Sequence, residues 1–168
     1  MNKPKLKSKK EFVRVDGKLK EVVTIHDEKG KILKRVISAS KLEFYFRDLL
    51  QIMIGASILA IPVGFTEETW RLGENLPMLN IFGLIAITLI FISAFVYHHY
   101  YREHLGKHSF EFLKRVFFTY AASFLVVALL LYLINVTPWS TDFVLSFKRV
   151  AIVTFPSSMS AAIADVLK

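Results

Sequence analysis

Hydrophobic and polar positions change character near residue 40. Before it, apolar and charged residues alternate in short runs; after it come four long apolar stretches divided by short polar ones. In the first part, Val13 and Val15 precede Asp16-Gly17, a two-residue hairpin signal. Leu19–Ile25 is rich in β-branched residues, His26–Gly30 reads as a second turn, and Lys31–Ile37 as a third strand. The pattern predicts a β-meander over 11–38 behind a basic tail at 1–10. Three short strands bury little surface, so this unit needs support from the rest of the protein or from a partner.

Ser40-Lys41-Leu42-Glu43 has the spacing of a capping box and predicts a helix start there. Phe44, Tyr45, Phe46, Arg47 and Asp48 follow, a mixture suited to a membrane interface. The predicted membrane domain is 40–168, with spans at about 49–65, 78–97, 116–136 and 143–167. The middle two are uncharged. The last contains Lys148, Arg149, Pro156, several serines and Asp165, so a re-entrant segment is the alternative there. The predicted fold is an all-α membrane protein: a four-helix transmembrane bundle with two proline-broken helices, plus a small β-rich N-terminal cytoplasmic unit.

Composition sharpens this. The chain has 168 residues, is 54% apolar by type, carries a net charge of +8 and contains no cysteine. Twelve of its 22 Lys and Arg fall in the first 40 residues. That distribution excludes an ordinary soluble enzyme and a disordered chain, and argues against nucleic acid as a partner. The missing cysteine removes disulfides, thiolate nucleophiles and Cys metal sites. With the N-terminus inside, 19 Lys and Arg lie on the inner side and only Arg71, Lys148 and Arg149 on the outer side. The positive-inside rule therefore predicts a cell-membrane protein with both termini cytoplasmic.

The chemistry concentrates after span 1. Glu67 and Glu68 stand together at the membrane edge, with Thr66 before them and Glu74 beyond. They read either as a hard-oxygen site for a cation or as a surface helix with Glu67 and Arg71 paired at i,i+4. Thr66 is expected to cap that short helix and Gly73 to end it. Pro62 and Pro156 each remove a helical donor, which would free the carbonyls of Ile58 and Ile152 to face a cation. Lys148 and Arg149 share the outer side with these acids, and one base is expected to pair with one acid. Asp165, near the inner end of span 4, is a further ion-binding candidate. Ala56, Ala60 and Gly64 form a small-residue stripe for helix packing. On a helix His104, His108 and Glu111 would share a face, a weak metal set. No nucleotide-binding loop, nucleophile elbow or zinc-protease motif is present, so no cofactor is expected, and a metal-dependent membrane enzyme using His104, His108 and Glu111 is the least favoured reading.

The stretch from Gly55 to Glu74, with Pro62, Thr66, Glu67, Glu68, Trp70 and Arg71, resembles the first motif of an uncharacterised prokaryotic integral-membrane family, domain of unknown function 2391. Phe147-Lys148-Arg149-Val150 with Phe155–Asp165 is similar to its second motif. The resemblance covers roughly Phe44–Lys168 and leaves out the N-terminal head. It implies that the chain ends near Lys168, and that the acids after Pro62 and the bases before Pro156 belong together. The family brings no established activity, substrate or cofactor. The functional expectation is a cation channel or transporter-like homo-oligomer with an acidic outer mouth. The alternative is a non-transporting structural or regulatory membrane protein whose basic unit binds a partner or lipid.

Overall fold

The structure, a computed structural model, describes residues 7–15, 18–27, 31–39, 44–102 and 105–167. The chain divides into two units, Met1–Glu43 and Phe44–Lys168.

The first unit is an antiparallel sheet of β1 (Lys7–Val15), β2 (Lys18–His26) and β3 (Ile32–Ala39), with β2 central. β1 reaches back to Lys7, into the stretch expected to be tail. Val22 and Thr24 of β2 are buried and, two residues apart, point to one face. Every residue from 31 to 38 is exposed. The Asp16-Gly17 turn and most of the His26–Gly30 turn lie outside the described residues.

The second unit is helical. It comprises α1 (Phe46–Gly64), α2 (Glu67–Asn75), α3 (Met78–Val96) with a π-helical turn at Tyr97–Tyr101, α4 (Leu105–Leu133) and α5 (Phe143–Val166). Among the described residues, three helices are long and apolar enough to cross a membrane: Phe46–Gly64, Met78–Tyr101 and His108–Leu133. α1 begins at Phe46; the Ser40–Glu43 capping box lies outside the described residues. α4 stops where Asn135 adopts a left-handed conformation (φ 59°), and Val136 N–H then reaches back to Leu131 O at 3.1 Å. This six-to-one bond satisfies a carbonyl that the helix end would leave open.

α5 differs from the other three long helices. It is rich in Ser, Ala and Thr, carries Lys148 and Arg149, and packs against α1, α2, α3 and α4. Small residues are what let it sit among them. A Cβ added to Gly55 of α1 would collide with Ala164 Cβ and lie 3.0 Å from both Ala161 Cα and Ser160 O. α1 and α5 therefore meet backbone to backbone. Ile52 and Ala56 pack with Ala122, Val126 and Ala161; farther along, Ala60 packs with Val127, Leu131, Val150 and Val153.

The expected proline breaks are absent. α1 continues through Pro62 and α5 through Pro156. Pro62 lies within the last turn of α1, so little helix remains beyond it to be redirected. Near Pro156 the hydroxyls turn onto the helix itself: Ser157 Oγ donates to Val153 O at 2.7 Å and Ser158 Oγ to Phe155 O at 3.1 Å. Local hydroxyl bonds and packed neighbours hold a membrane helix through a proline.

Candidate functional site: two charged ends of one bundle

Where α1 and α4 begin and α5 ends, three helices converge on one guanidinium. Asp48 lies in the first turn of α1, where the helix dipole favours a carboxylate. Its Oδ2 accepts from Tyr45 N–H at 3.2 Å and from Arg115 Nη2 at 2.8 Å. Arg115 Nε is 3.6 Å from Asp165 Oδ2, in the last turn of α5. The side chains of Asp48 and Arg115 are 0% exposed and that of Asp165 1%. Tyr100, on the π-helical turn after α3, lies under the cation with 4.0 Å between ring centroid and Cζ, while Phe44 lies 5.8 Å away. Tyr100 O–H also donates to Asp165 O at 2.8 Å, which satisfies a terminal carbonyl of α5. Glu111, one turn before Arg115 on α4, is buried as well.

This arrangement suits arginine. A planar, always charged fork can meet carboxylates in its plane and an aromatic ring on its face at once. Ions in an apolar interior cost several kcal/mol each unless closely paired. The network therefore ties α1, α4, α5 and the end of α3 into one position.

The opposite end is organised differently. Glu67 and Arg71 form an i,i+4 pair at 2.8 Å on the surface of α2, 66% and 70% exposed. Glu68 is exposed beside them. Thr66 Oγ1 bonds Val63 O at 2.8 Å and Thr69 Oγ1 at 2.7 Å, and Trp70 Nε1 donates to Gly64 O at 2.8 Å. These contacts fasten the turn between α1 and α2. Glu74 pairs with Arg149 Nη2 at 2.7 Å, and the same guanidinium donates to the Trp70 and Val136 carbonyls. Lys148 Nζ donates to Leu76 O at 2.8 Å. Gly73 lies inside α2 and does not end it. Its missing side chain leaves room for Arg149, whose Cγ is 2.6 Å from where a Cβ would stand. Asp142 caps α5, accepting from Leu145 N–H at 2.8 Å.

The ion-binding candidates thus do not form one site. Glu67 and Glu68 stand on the surface of α2, and Glu74 is held by Arg149. Asp165 belongs to the other end, about 24 Å away from Arg149 along α5 at the helical rise. His104 lies outside the described residues, and His108 sits at a kink in α4 with φ −133° and ψ 32°. Among the described residues no group of three or more His, Asp or Glu could hold a metal ion.

Sequence reasoning misses Asp48, Arg115 and Tyr100. The signal is at Arg115, on a polar stripe of α4: Glu111, Arg115, Thr119 and Ser123 recur every four residues and all are buried. Arg115 stands one residue before the apolar run expected at 116–136, which makes it resemble the end of that run.

Residues 17–167 match the profile of the integral membrane protein family DUF2391. The chain belongs to that family. As a DUF2391 protein it carries both charged ends within the matched region, along with β2 and β3, so the family unit reaches upstream of Phe44. Searches of curated proteins and of solved structures each returned no match.

Proposed function

We propose that this DUF2391 protein is a membrane anchor that displays its β-unit and does not itself conduct ions. In this reading the bundle has four spans with both termini cytoplasmic. The 24 residues of α5 extend about 36 Å, enough for a hydrocarbon core of about 30 Å. Lys148 and Arg149, in its second turn, and Asp165, in its last, are engaged by partners. The bias of 19 bases against three supports the orientation.

The observation that carries the reading is the exposure of β3 over residues 32–38, with Ile37 59% and Leu33 56% exposed. Contiguous exposed apolar side chains mark interaction surfaces. The cation-channel reading needs Glu67 and Glu68 beside a path through the bundle, and they stand on the outside of a surface helix. Interhelical grooves at Phe91, Phe95, Met159 and Ile163, and at Phe117, Tyr120, Phe124 and Phe147, have apolar walls, which lipid tails would fill.

Two measurements test this. Proteoliposomes holding the protein should show cation flux no higher than empty vesicles, with Glu67→Gln and Glu68→Gln identical to it. Flux that disappears in either variant would restore the channel. Single cysteines at Glu68 and Ile37, both exposed and in a chain that has none of its own, should react from the outside and the cytoplasmic side respectively. Reaction of both from one side would overturn the topology.

A further inference from the structure

Among the described residues, β3 pairs only with β2, so its outer row of backbone groups is open as well as its side chains. Alternation places Lys34 and Val36 on one face and Arg35 and Ile37 on the other. The register agrees, with Val36 opposite Val23 and Ile37 opposite Val22. Each face of the strand therefore offers a base beside an apolar chain, and Ile32 and Leu33 add two exposed apolar chains at its start.

That mixture fits a bilayer surface. Apolar side chains can enter the boundary between headgroups and acyl chains while Lys and Arg stay at the phosphates. It fits a protein strand poorly. Bases along an edge strand, and the register shift between Ile25 and His26, both oppose strand addition. Covalent reach points the same way. Six residues separate Ala39 at the end of β3 from Phe46 at the start of α1, so the chain between them spans at most about 25 Å. Twelve Lys and Arg in the first 40 residues supply the charge complement to an acidic leaflet.

We propose that β3 docks on the anionic lipid headgroups of the leaflet from which α1 enters the membrane. The proposal rests on the display reading and names the partner of the displayed surface.

The test uses the full chain carrying Ile37→Cys, labelled with an environment-sensitive fluorophore and reconstituted into phosphatidylcholine vesicles with or without phosphatidylglycerol. Acrylamide on both sides of the membrane reads exposure of the label. Docking is expected to give a blue-shifted, poorly quenched label only in the anionic vesicles, and high salt should reverse it. Each base contributes about fivefold to association with an acidic surface. Lys34→Gln with Arg35→Gln should therefore weaken docking about 25-fold, and the double change to Glu should abolish it. An unchanged unfolding transition of the bundle shows that these variants are intact. Equal quenching in both vesicle types would overturn lipid docking. The display reading would still stand if position 37 reacts from the cytoplasmic side. Shielding that is the same in both vesicle types and insensitive to salt would also overturn it, and would point to a second copy or another protein on β3.

Discussion

The two ends of the bundle use similar residues for different purposes. At one end, Arg115 is enclosed with Asp48 and Asp165, and three helices depend on it. At the other, Arg71 and Glu67 face outward on α2, where solvent and salt screen them. Arg149 stands between these extremes: its side chain is 12% exposed, and it binds a carboxylate and two backbone carbonyls at once. The same ion pair can be a structural joint or a surface ornament. What decides is whether its desolvation has already been compensated by surrounding partners.

The largest expected effect is at the enclosed end. Arg115→Met leaves Asp48 and Asp165 in an apolar interior without their guanidinium. It should cost about 3–5 kcal/mol in reversible unfolding from detergent micelles. Next is the contact that brings α5 against α1. Gly55→Val forces a side chain into Ala164 and the backbone of Ser160 and Ala161. It should cost up to about 3 kcal/mol, since the nearest obstacles include backbone that cannot rotate away. Arg149→Met should cost about 1.5–3 kcal/mol through the loss of charge-assisted bonds to Glu74, Trp70 and Val136. Thiol labelling should then find the α2 region more reactive than in the unaltered protein. The smallest effect belongs to the exposed pair. Arg71→Met should change stability by no more than about 0.5 kcal/mol, and that difference should vanish at high salt.

This comparison also explains what could be read from the chain. α1, α3 and α4 were legible because lipid contact demands long uncharged apolar runs. α5 was legible as a helix, but its Ser, Ala and Thr content looked like weakness. Those residues instead mark the helix that packs against all the others, where small side chains permit close approach. The prolines misled because one interrupted hydrogen bond is a local event, and packing on both sides of it keeps the helix whole. Glu67 and Glu68 drew attention because adjacent acids are conspicuous in sequence. Arg115 did not, because a charge at the margin of an apolar run resembles the end of that run. Its position on the face of Thr119 and Ser123 was the better guide. Its pairing with Asp48, 67 residues earlier, depends on tertiary contact that spacing alone does not disclose.

The central claim is that the Arg115 cluster at the enclosed end holds the bundle together and the exposed Glu67–Arg71 pair does not. A double-mutant cycle tests it most directly. Equilibrium unfolding is measured for Arg115→Met, Asp48→Asn and the double variant, beside Arg71→Met, Glu67→Gln and their double variant. The first cycle should give a coupling energy of at least about 1.5 kcal/mol, and the second one near zero. Equal couplings at the two ends, or an Arg115→Met protein as stable as Arg71→Met, would contradict the account.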